Sequence, residues 1–148
     1  MTPVGIIGWR GMVGSVLLDR MREEKDFDLI APTFFSTSKA GTQGPSGTAV
    51  HDANDIAALA KLPILISTQG GDYTQAIHPR LRAAGWNGYW IDAASALRME
   101  KNAAIVLDPV NLGVMQAARE RAESLGAAAS AGIRPLEQDF GNLKFFAT

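Results

Sequence analysis

The strongest indication of the fold is the segment Val4-Gly-Ile-Ile-Gly8-Trp-Arg-Gly11-Met-Val-Gly14. It begins as a short apolar run, typical of a buried strand, and then passes through a tight glycine turn. A helical pattern follows, and it predicts a helix from about Met12 to Lys25, with apolar side chains at Val13, Val16, Leu17 and Met21. In such a strand–turn–helix unit, the glycines let the backbone approach a pyrophosphate, and the free N–H groups of the new helix point at it.

The position of these glycines is more informative than their spacing. Gly8, Gly11 and Gly14 recur at every third residue, which differs from the usual dinucleotide-binding pattern G-x-G-x-x-G. A turn that serves only to pack the helix on the strand is the alternative to a pyrophosphate site. Arg10 lies inside the turn, where its guanidinium would reach a phosphate directly.

Strand-like and helix-like segments alternate along the rest of the chain. This pattern predicts an α/β fold, a Rossmann-like doubly wound sheet that is mostly parallel, with flanking helices. Pro32 indicates an edge or an imperfection in the second strand. The predicted strands are Val4–Ile7, Leu29–Phe35, Thr48–Val50, Pro63–Ser67, Tyr89–Asp92 and Ala104–Leu107. The later predicted helices are Ile56–Lys61 (capped by Asp52 or Asn54), Thr74–Ala84 (ending at Gly85) and Leu112–Leu125.

The character of the sequence changes after Gly126. Residues 127–132 contain only alanine, serine and glycine, and the remainder has no clear period. The run Leu143–Phe146 is a candidate strand without a downstream helix to cover it. We therefore predict a dinucleotide-binding domain at 1–125, a divergent tail at 126–148 and a sheet that is incomplete at its C-terminal end. A frameshift, a gene fragment and a premature stop are three possible origins of such a tail.

A second clue to the ligand comes at the end of the second strand, in Phe35-Ser-Thr-Ser-Lys39. Sites selective for NAD usually carry an acidic residue there to hold the ribose 2′-hydroxyl. Hydroxyls and a lysine without an acid would instead accept a 2′-phosphate, so we predict NADP. A simple polar loop is the alternative. Gln69-Gly-Gly-Asp72 and Asp92-Ala-Ala-Ser95 also follow strands, at the edge where open α/β sheets bind ligands. Arg98 follows shortly afterwards as a candidate for binding an anionic substrate. Ordinary turn residues and a surface charge are the alternatives at these positions.

Composition excludes several classes of function. The chain has 148 residues, 47% of them hydrophobic, and a formal net charge of -1, which does not suit a disordered or nucleic-acid-coating protein. It contains no cysteine, so disulfides, thiolate nucleophiles and cysteine zinc sites cannot form within it. His51 and His78 are too few and too far apart to suggest a metal site. No run approaches the roughly 20 apolar residues of a membrane helix, so we expect a cytoplasmic domain without a membrane or nucleic-acid partner.

Several longer strings together resemble bacterial aspartate-β-semialdehyde dehydrogenases, collinearly from Val4 to about Leu125. They are Val4-Gly-Ile-Ile-Gly-Trp-Arg-Gly-Met-Val-Gly-Ser15, Phe34-Phe-Ser-Thr-Ser38, Gln69-Gly-Gly-Asp-Tyr-Thr74, Gly85-Trp-Asn-Gly-Tyr-Trp-Ile-Asp-Ala-Ala-Ser95 with Leu97-Arg-Met99, and Val106-Leu-Asp-Pro-Val-Asn111. The resemblance implies an NADP-binding Rossmann domain that is followed, in the family, by a catalytic and dimerisation domain. It also implies reduction of aspartyl phosphate to aspartate semialdehyde, in lysine, methionine and threonine biosynthesis.

The same resemblance assigns roles to individual residues. Arg10, Gly11, Met12 and Val13 would line the dinucleotide, Thr37 and Ser38 would lie near its 2′-phosphate, and Gln69 would contact it. Arg98 would bind the phosphate group of the acyl phosphate, or inorganic phosphate.

The family's nucleophile is a cysteine in a Gly-Asn-Cys-Thr motif, whereas the nearest string here is Gly141-Asn-Leu-Lys144. Leucine cannot form an acyl-thioester, so we predict no catalytic residue in this chain and no activity from it alone. A dinucleotide-binding regulatory subunit, which pairs with itself or with a full-length homologue, and an unstable fragment are the alternatives.

Overall fold

The computed structural model describes residues 1–98, 103–106 and 144–147. The chain divides into two units, Met1–Ser95 and Ala96–Thr148. In the first unit the strands are β1 (Thr2–Ile7), β2 (Ile30–Ser36), β3 (Val50–Asp52), β4 (Ile64–Ser67) and β5 (Tyr89–Asp92), and the helices are α1 (Met12–Glu23), α2 (Ile56–Leu59) and α3 (Gly71–Ala83). In the second unit, β6 (Ala103–Val106) pairs in parallel with β7 (Lys144–Ala147).

The first unit is built on a five-stranded sheet with the order β3-β2-β1-β4-β5, and every pairing in it is parallel. The chain moves outward from β1 to β2 and β3, and then crosses to the other side of β1 to form β4 and β5. The strand order therefore reverses beside β1, which is the place where doubly wound sheets bind their ligands. The predicted fold, a mostly parallel Rossmann-like sheet with flanking helices, is confirmed.

Alternating side chains give the sheet two apolar faces. Ile6 and Phe34 are paired in register and pack with Leu18 and Met21 of α1 on one face. The next residue of each strand points the opposite way because side chains alternate along a strand. Ile7 and Phe35 pack there against residues of α2 and α3, which include Leu59, Ile77 and Leu81. The sheet is thus the middle of three layers, and its central strand β1 is buried from both sides.

Most predicted elements are present with shifted bounds. The helix predicted to reach Lys25 ends at Glu23, since Lys25 adopts a left-handed conformation with φ 63°. Strand β3 starts at Val50, two residues later than the predicted start at Thr48. The cap of α2 was predicted wrongly: Asp55, rather than Asp52 or Asn54, accepts the hydrogen bond from the Ala58 N–H.

The end of α3, the position of Pro32 and the last two strands agree more closely with the sequence predictions. Helix α3 begins at Gly71, three residues before Thr74, and the chain leaves it through Gly85 with φ +82°. Pro32 lies where β2 pairs with β1 alone, because β3 reaches only Phe34–Ser36. The strands predicted at Ala104–Leu107 and Leu143–Phe146 are present as β6 and β7, each shifted by one residue. The predicted helix Leu112–Leu125 lies outside the described residues, and the domain limits 1–125 and 126–148 stay a prediction.

Across the described part of the chain, no helix has the length and apolar character needed to cross a membrane.

Candidate dinucleotide site

A cleft of about 390 Å³ opens at the carboxyl ends of β1, β2 and β4, where the strand order reverses. Each of the three strands contributes the residues with which it ends or the turn that follows it. Glycines, hydroxyl side chains and two cations line the cleft, and none of its lining residues is acidic. The lining residues are Gly8, Trp9, Arg10, Gly11, Phe35, Ser36, Thr37, Ser38, Lys39, Thr68 and Gln69.

The floor of the cleft is the glycine turn between β1 and α1. Gly8 has φ +78°, a conformation that favours glycine, and a Cβ at this position would lie 2.6 Å from the backbone nitrogen of Gln69. Gly14 is buried in the first turn of α1, and a Cβ there would lie 2.6 Å from Trp9 Cα. Both glycines are therefore required by the packing of the turn itself.

Gly11 is different, because the protein leaves space around it. Its φ of -72° and ψ of 171° suit any residue, and a Cβ would meet nothing closer than the Gly8 carbonyl oxygen at 3.4 Å. Packing and backbone conformation therefore do not explain a glycine here. A group that approaches the backbone closely from the cleft would explain it, and this is the arrangement expected for a pyrophosphate.

The start of α1 is suited to an anion. Gly11 is its N-cap and provides no side-chain cap, and the first turn contains no acidic residue. The first intrahelical hydrogen bond runs from the Ser15 N–H to the Gly11 carbonyl, at 2.8 Å. The N–H groups before Ser15 are those that a helix start offers to a ligand, and the helix dipole adds to their attraction for a negative charge.

Two contacts join the ends of the three strands. Thr68 donates to the Ile7 carbonyl from both its backbone N–H and its Oγ1, each at 3.0 Å, which ties the end of β4 to the end of β1. Gln69 Nε2 donates to Thr37 Oγ1 at 3.5 Å, which links the turn after β4 to the end of β2. The pair lies across the cleft, although 32 residues separate the two side chains in sequence.

Aromatic packing holds the outer part of the glycine turn. Trp9 contacts Phe34 edge to face, with ring centroids 5.4 Å apart. The Arg10 guanidinium carbon lies 5.5 Å from the centre of the Trp9 ring, within the range of a cation–π interaction. Arg10 is otherwise exposed, so this contact places its positive charge beside the cleft without neutralising it.

Asp92, the last residue of β5, has a structural role. Asp92 Oδ2 accepts a hydrogen bond from Thr74 Oγ1 at 2.6 Å, and its Oδ1 accepts one from the Ala94 N–H at 3.0 Å. Thr74 is completely buried in the first turn of α3. The carboxylate thus fixes the start of this loop against α3.

Tyr73 is a buried titratable group beneath the sheet. Its hydroxyl donates to the Ala53 carbonyl, and burial raises its pKa well above the ordinary value, with a further contribution from the negative charge of Asp52. The phenol is therefore neutral in the folded protein at ordinary pH, and its role is structural.

The structure brings together five of the residues predicted for the cofactor: Arg10, Gly11, Thr37, Ser38 and Gln69 all line the cleft. Met12 and Val13 are not among the lining residues; their side chains lie on the first turn of α1 and are 83% and 52% exposed. Arg98 belongs to the second unit, and its role stays a prediction. In the described ranges, no three His, Asp or Glu side chains form a cluster suited to a metal ion.

Sequence reasoning missed Trp9, Phe35 and Thr68 as lining residues. Thr68 directly follows a buried strand run, and that position is the signal from which it was predictable. Trp9 and Phe35 read as ordinary core aromatics, and only the folded arrangement shows that they also border the cleft.

A family model matches most of the chain. The model described as "Semialdehyde dehydrogenase, NAD binding domain" matches residues 3–118. Among solved structures, the aspartate semialdehyde dehydrogenase from Francisella tularensis is 45% identical with a TM-score of 0.73, and the match covers 100% of this chain and 36% of that chain. The chain is thus similar to about a third of that longer protein.

More distant structures share the fold. A probable aspartate-semialdehyde dehydrogenase from Pseudomonas aeruginosa is 22% identical with a TM-score of 0.60, over 97% of this chain and 37% of that chain. An aspartate semialdehyde dehydrogenase with NADP from Candida albicans is 16% identical with a TM-score of 0.63, over 100% and 43% of the two chains. The resemblance predicted from the sequence motifs is confirmed by these findings.

Proposed function

The chain belongs to the semialdehyde dehydrogenase NAD-binding domain family, and from this premise we propose that it binds NADP(H) in the cleft at the ends of β1, β2 and β4. One observation carries the proposal. The cleft combines a helix start without a side-chain cap, two cations and several hydroxyls, and its lining residues include no carboxylate. This set of groups fits a ligand that carries phosphates at two places. NADP has a pyrophosphate and a 2′-phosphate.

Each part of the cleft has a role in this proposal. The close backbone approach at Gly11 and the N–H groups at the start of α1 bind the pyrophosphate. Met12 and Val13 take part through their backbone N–H groups, since neither side chain lines the cleft. Thr37 and Ser38, with the ammonium group of Lys39, hold the 2′-phosphate. None of the described residues that line the cleft is acidic, so none of them repels it.

Arg10 and Gln69 complete the contacts from either side of the glycine turn. The Arg10 guanidinium supplies a charge-assisted hydrogen bond to a phosphate oxygen. The amide of Gln69 already bridges to Thr37 and is placed to bind a ribose hydroxyl or an amide of the ligand. When bound, NADPH supplies the hydride, and this chain's residues bind and orient the dinucleotide.

Binding is tested by titrating NADPH into the purified chain and following its fluorescence. Arg10→Ala should weaken binding about tenfold or more, because it removes a hydrogen bond from a charged donor to a charged acceptor. Arg80→Ala is the matched control, since Arg80 is an exposed arginine near the end of α3 that does not line the cleft. Equal affinities for the two variants would contradict the placement of the dinucleotide.

The reaction of the longer relatives is a separate proposal. We infer that the chain corresponds to the cofactor domain of an enzyme that reduces L-aspartyl 4-phosphate to L-aspartate 4-semialdehyde with NADPH, in the synthesis of lysine, methionine and threonine. Arg98 is proposed to bind the phosphate group, and the cytoplasm is the expected location. The 45% identity to the Francisella tularensis protein over the whole chain supports this inference.

This chain alone is proposed to be inactive, because it holds no cysteine to form a thioester with the substrate. The purified chain, mixed with aspartate semialdehyde, phosphate and NADP, should produce no NADPH. Turnover above that of a heat-denatured sample would overturn the proposed inactivity while leaving the binding site intact.

A second candidate is a non-catalytic subunit that pairs with a longer homologue or with a second copy, and one observation favours it. Val13 and Val16 on α1 are 52% and 64% exposed, and Ile91 on β5 is 54% exposed. Ile91 is in register with Ile66 and Ile6, so it lies on the face of the sheet that α1 covers only in part. Sedimentation of the chain alone and mixed with the full-length enzyme decides this: a monomer in both samples would exclude pairing.

A further inference from the structure

Asn87 and Gly88 lie in the short segment between the end of α3 and the start of β5. The Asn87 side chain is exposed, and it has no hydrogen-bond partner among the described residues. The Gly88 backbone N–H likewise forms no hydrogen bond with any residue that the structure describes. A carboxamide and the peptide nitrogen that follows it are therefore both available to react with each other.

The peptide nitrogen of Gly88 is the nucleophile of this reaction. Because glycine has no Cβ, no side chain shields its nitrogen from Cγ of the Asn87 carboxamide. The nitrogen gives up its proton to a base and forms a bond with Cγ. The bond from Cγ to Nδ2 then breaks, and the side-chain nitrogen leaves as ammonia. The product is a cyclic imide that includes the main chain.

Water completes the reaction and leads to two products. Hydroxide that adds at Cγ breaks the new bond to the Gly88 nitrogen and leaves an ordinary aspartate at position 87. Hydroxide that adds at the main-chain carbonyl carbon leaves an isoaspartate, in which the chain runs through Cβ and Cγ and is longer by one methylene group. Both routes consume water, release ammonia and place a new negative charge on the surface.

Packing explains why a glycine stands beside this asparagine. A Cβ at Gly88 would lie 2.4 Å from the Pro63 carbonyl oxygen and 2.5 Å from the Trp86 ring. The same carbonyl accepts a hydrogen bond from the Tyr89 N–H at 2.8 Å, where β5 begins to pair with β4. A larger residue would separate the start of β5 from β4. The fold thus requires the residue that makes Asn87 reactive.

Asn54 provides a contrast within the same unit. Its Nδ2 and its backbone N–H both donate to Asp52 Oδ1, at 3.0 and 2.9 Å, so its carboxamide is held in place. The next nitrogen belongs to Asp55, which carries a side chain and donates to the Asp52 carbonyl at 3.2 Å. Each condition that favours the reaction at Asn87 is therefore reversed at Asn54.

We propose that Asn87 is a site of spontaneous deamidation in the folded protein, with the Gly88 nitrogen as the nucleophile and water as the co-reactant. The site does not line the cleft, and the inference does not depend on the proposed function. The reaction accelerates as the pH rises, because the attacking nitrogen must lose its proton.

The two products affect the fold differently. An aspartate changes only an exposed side chain, so the fold tolerates it. An isoaspartate lengthens the main chain between two fixed points. On one side Trp86 is buried, and its Nε1 donates to the Leu62 carbonyl at 2.7 Å. On the other side Tyr89 is bound to the Pro63 carbonyl. The added methylene group therefore displaces either the tryptophan or the start of β5.

The test incubates the purified, folded chain at mildly alkaline pH in heavy-oxygen water and follows its asparagines by peptide mass spectrometry. Asn87 should change from amide to acid and take up the label before Asn54 does, and Asn87→Gln should remove this fast reaction. Equal rates at Asn87 and Asn54 would overturn the proposal. So would an Asn87 that reacts in the chain unfolded in urea and stays intact in the folded chain.

Thermal unfolding of the separated products tests the structural consequence. The isoaspartate form should have a Tm lower than the wild type by about 5 °C or more, because the inserted group has no room. Asn87→Asp is the matched control, since it has the same charge with an ordinary main chain, and it should keep the wild-type Tm. Equal Tm values for the isoaspartate form and Asn87→Asp would overturn this consequence.

Discussion

Two glycines of the same turn, Gly11 and Gly14, should respond in opposite ways to replacement by alanine. A Cβ at Gly14 would contact the Gly8 carbonyl oxygen and lie 2.6 Å from Trp9 Cα and 2.8 Å from Thr68 Oγ1. Two of these three atoms are backbone, and none is the far end of a flexible side chain. A Cβ at Gly11 would have 3.4 Å to its nearest neighbour. The first substitution should therefore affect folding, and the second should affect ligand binding.

The expected size of the effect at Gly14 comes from two opposing contributions. Alanine favours the helix over glycine by about 1 kcal/mol. Overpacking typically costs about 1–3 kcal/mol, and the rigid neighbours at Gly14 favour the upper end. Gly14→Ala should thus lower the free energy of unfolding by about 2 kcal/mol, or roughly 5–10 °C in Tm for a domain of this size.

Gly11→Ala should change the free energy of unfolding by less than about 0.5 kcal/mol. Alanine is a poorer N-cap than glycine, but it also restricts the unfolded chain, and the two effects have similar size. Its methyl group would stand where we place the pyrophosphate, so NADP affinity should fall about tenfold or more.

Urea unfolding and NADPH titration of both variants measure the two quantities separately. Gly11→Ala with wild-type affinity would refute a pyrophosphate at the start of α1. Gly14→Ala with an unchanged unfolding midpoint would refute the packing argument.

Three further predictions concern charge, pH and buried polar groups. Lys39→Glu should weaken NADP binding about tenfold and NAD binding much less, as measured in parallel titrations. Lys61→Glu is the control, because Lys61 is exposed and does not line the cleft. Equal losses of affinity for the two dinucleotides would contradict this prediction. Because the pKa of Tyr73 is raised in the folded state, the unfolded chain loses this proton first, so stability should fall as the pH rises above about 10. The urea midpoint, measured from neutral to alkaline pH, should fall in the wild type and fall less in Tyr73→Phe. An equal fall of the midpoint in both proteins would exclude Tyr73 as the cause. Thr74→Val should cost about 1–3 kcal/mol of unfolding free energy, because it removes the hydroxyl that donates to Asp92 Oδ2, and Thr74→Ser should restore most of it. A urea midpoint of Thr74→Val equal to that of the wild type would contradict this.

The elements that could be predicted from the sequence are those whose conformation is set by residues adjacent in the chain. The unit from β1 to α1 was predictable because a strand run, a glycine turn and a helical period follow one another directly. Strand β3 was placed two residues too early, because its position is set by pairing with Phe34–Ser36 and not by its own sequence. Helix α3 was predicted to start too late, since Gly70 and Gly71 read as a turn although the helix begins at Gly71.

The residue types that favour phosphate binding could be predicted from the sequence, whereas the contacts between them could not. The glycines, Arg10 and the hydroxyls after β2 each carry a recognisable preference for phosphate. That Gln69 meets Thr37 depends on the strand order, which places the ends of β2 and β4 on either side of β1. The use of Ser36 Oγ as a double acceptor is likewise a matter of turn conformation that residue identity does not fix.

Calorimetric titration of NADP and of NAD into the purified wild-type chain tests whether the cleft is an NADP site. We predict a single site that binds NADP more tightly than NAD, with the difference reduced by Lys39→Glu. No binding of either dinucleotide, or tighter binding of NAD, would contradict the account.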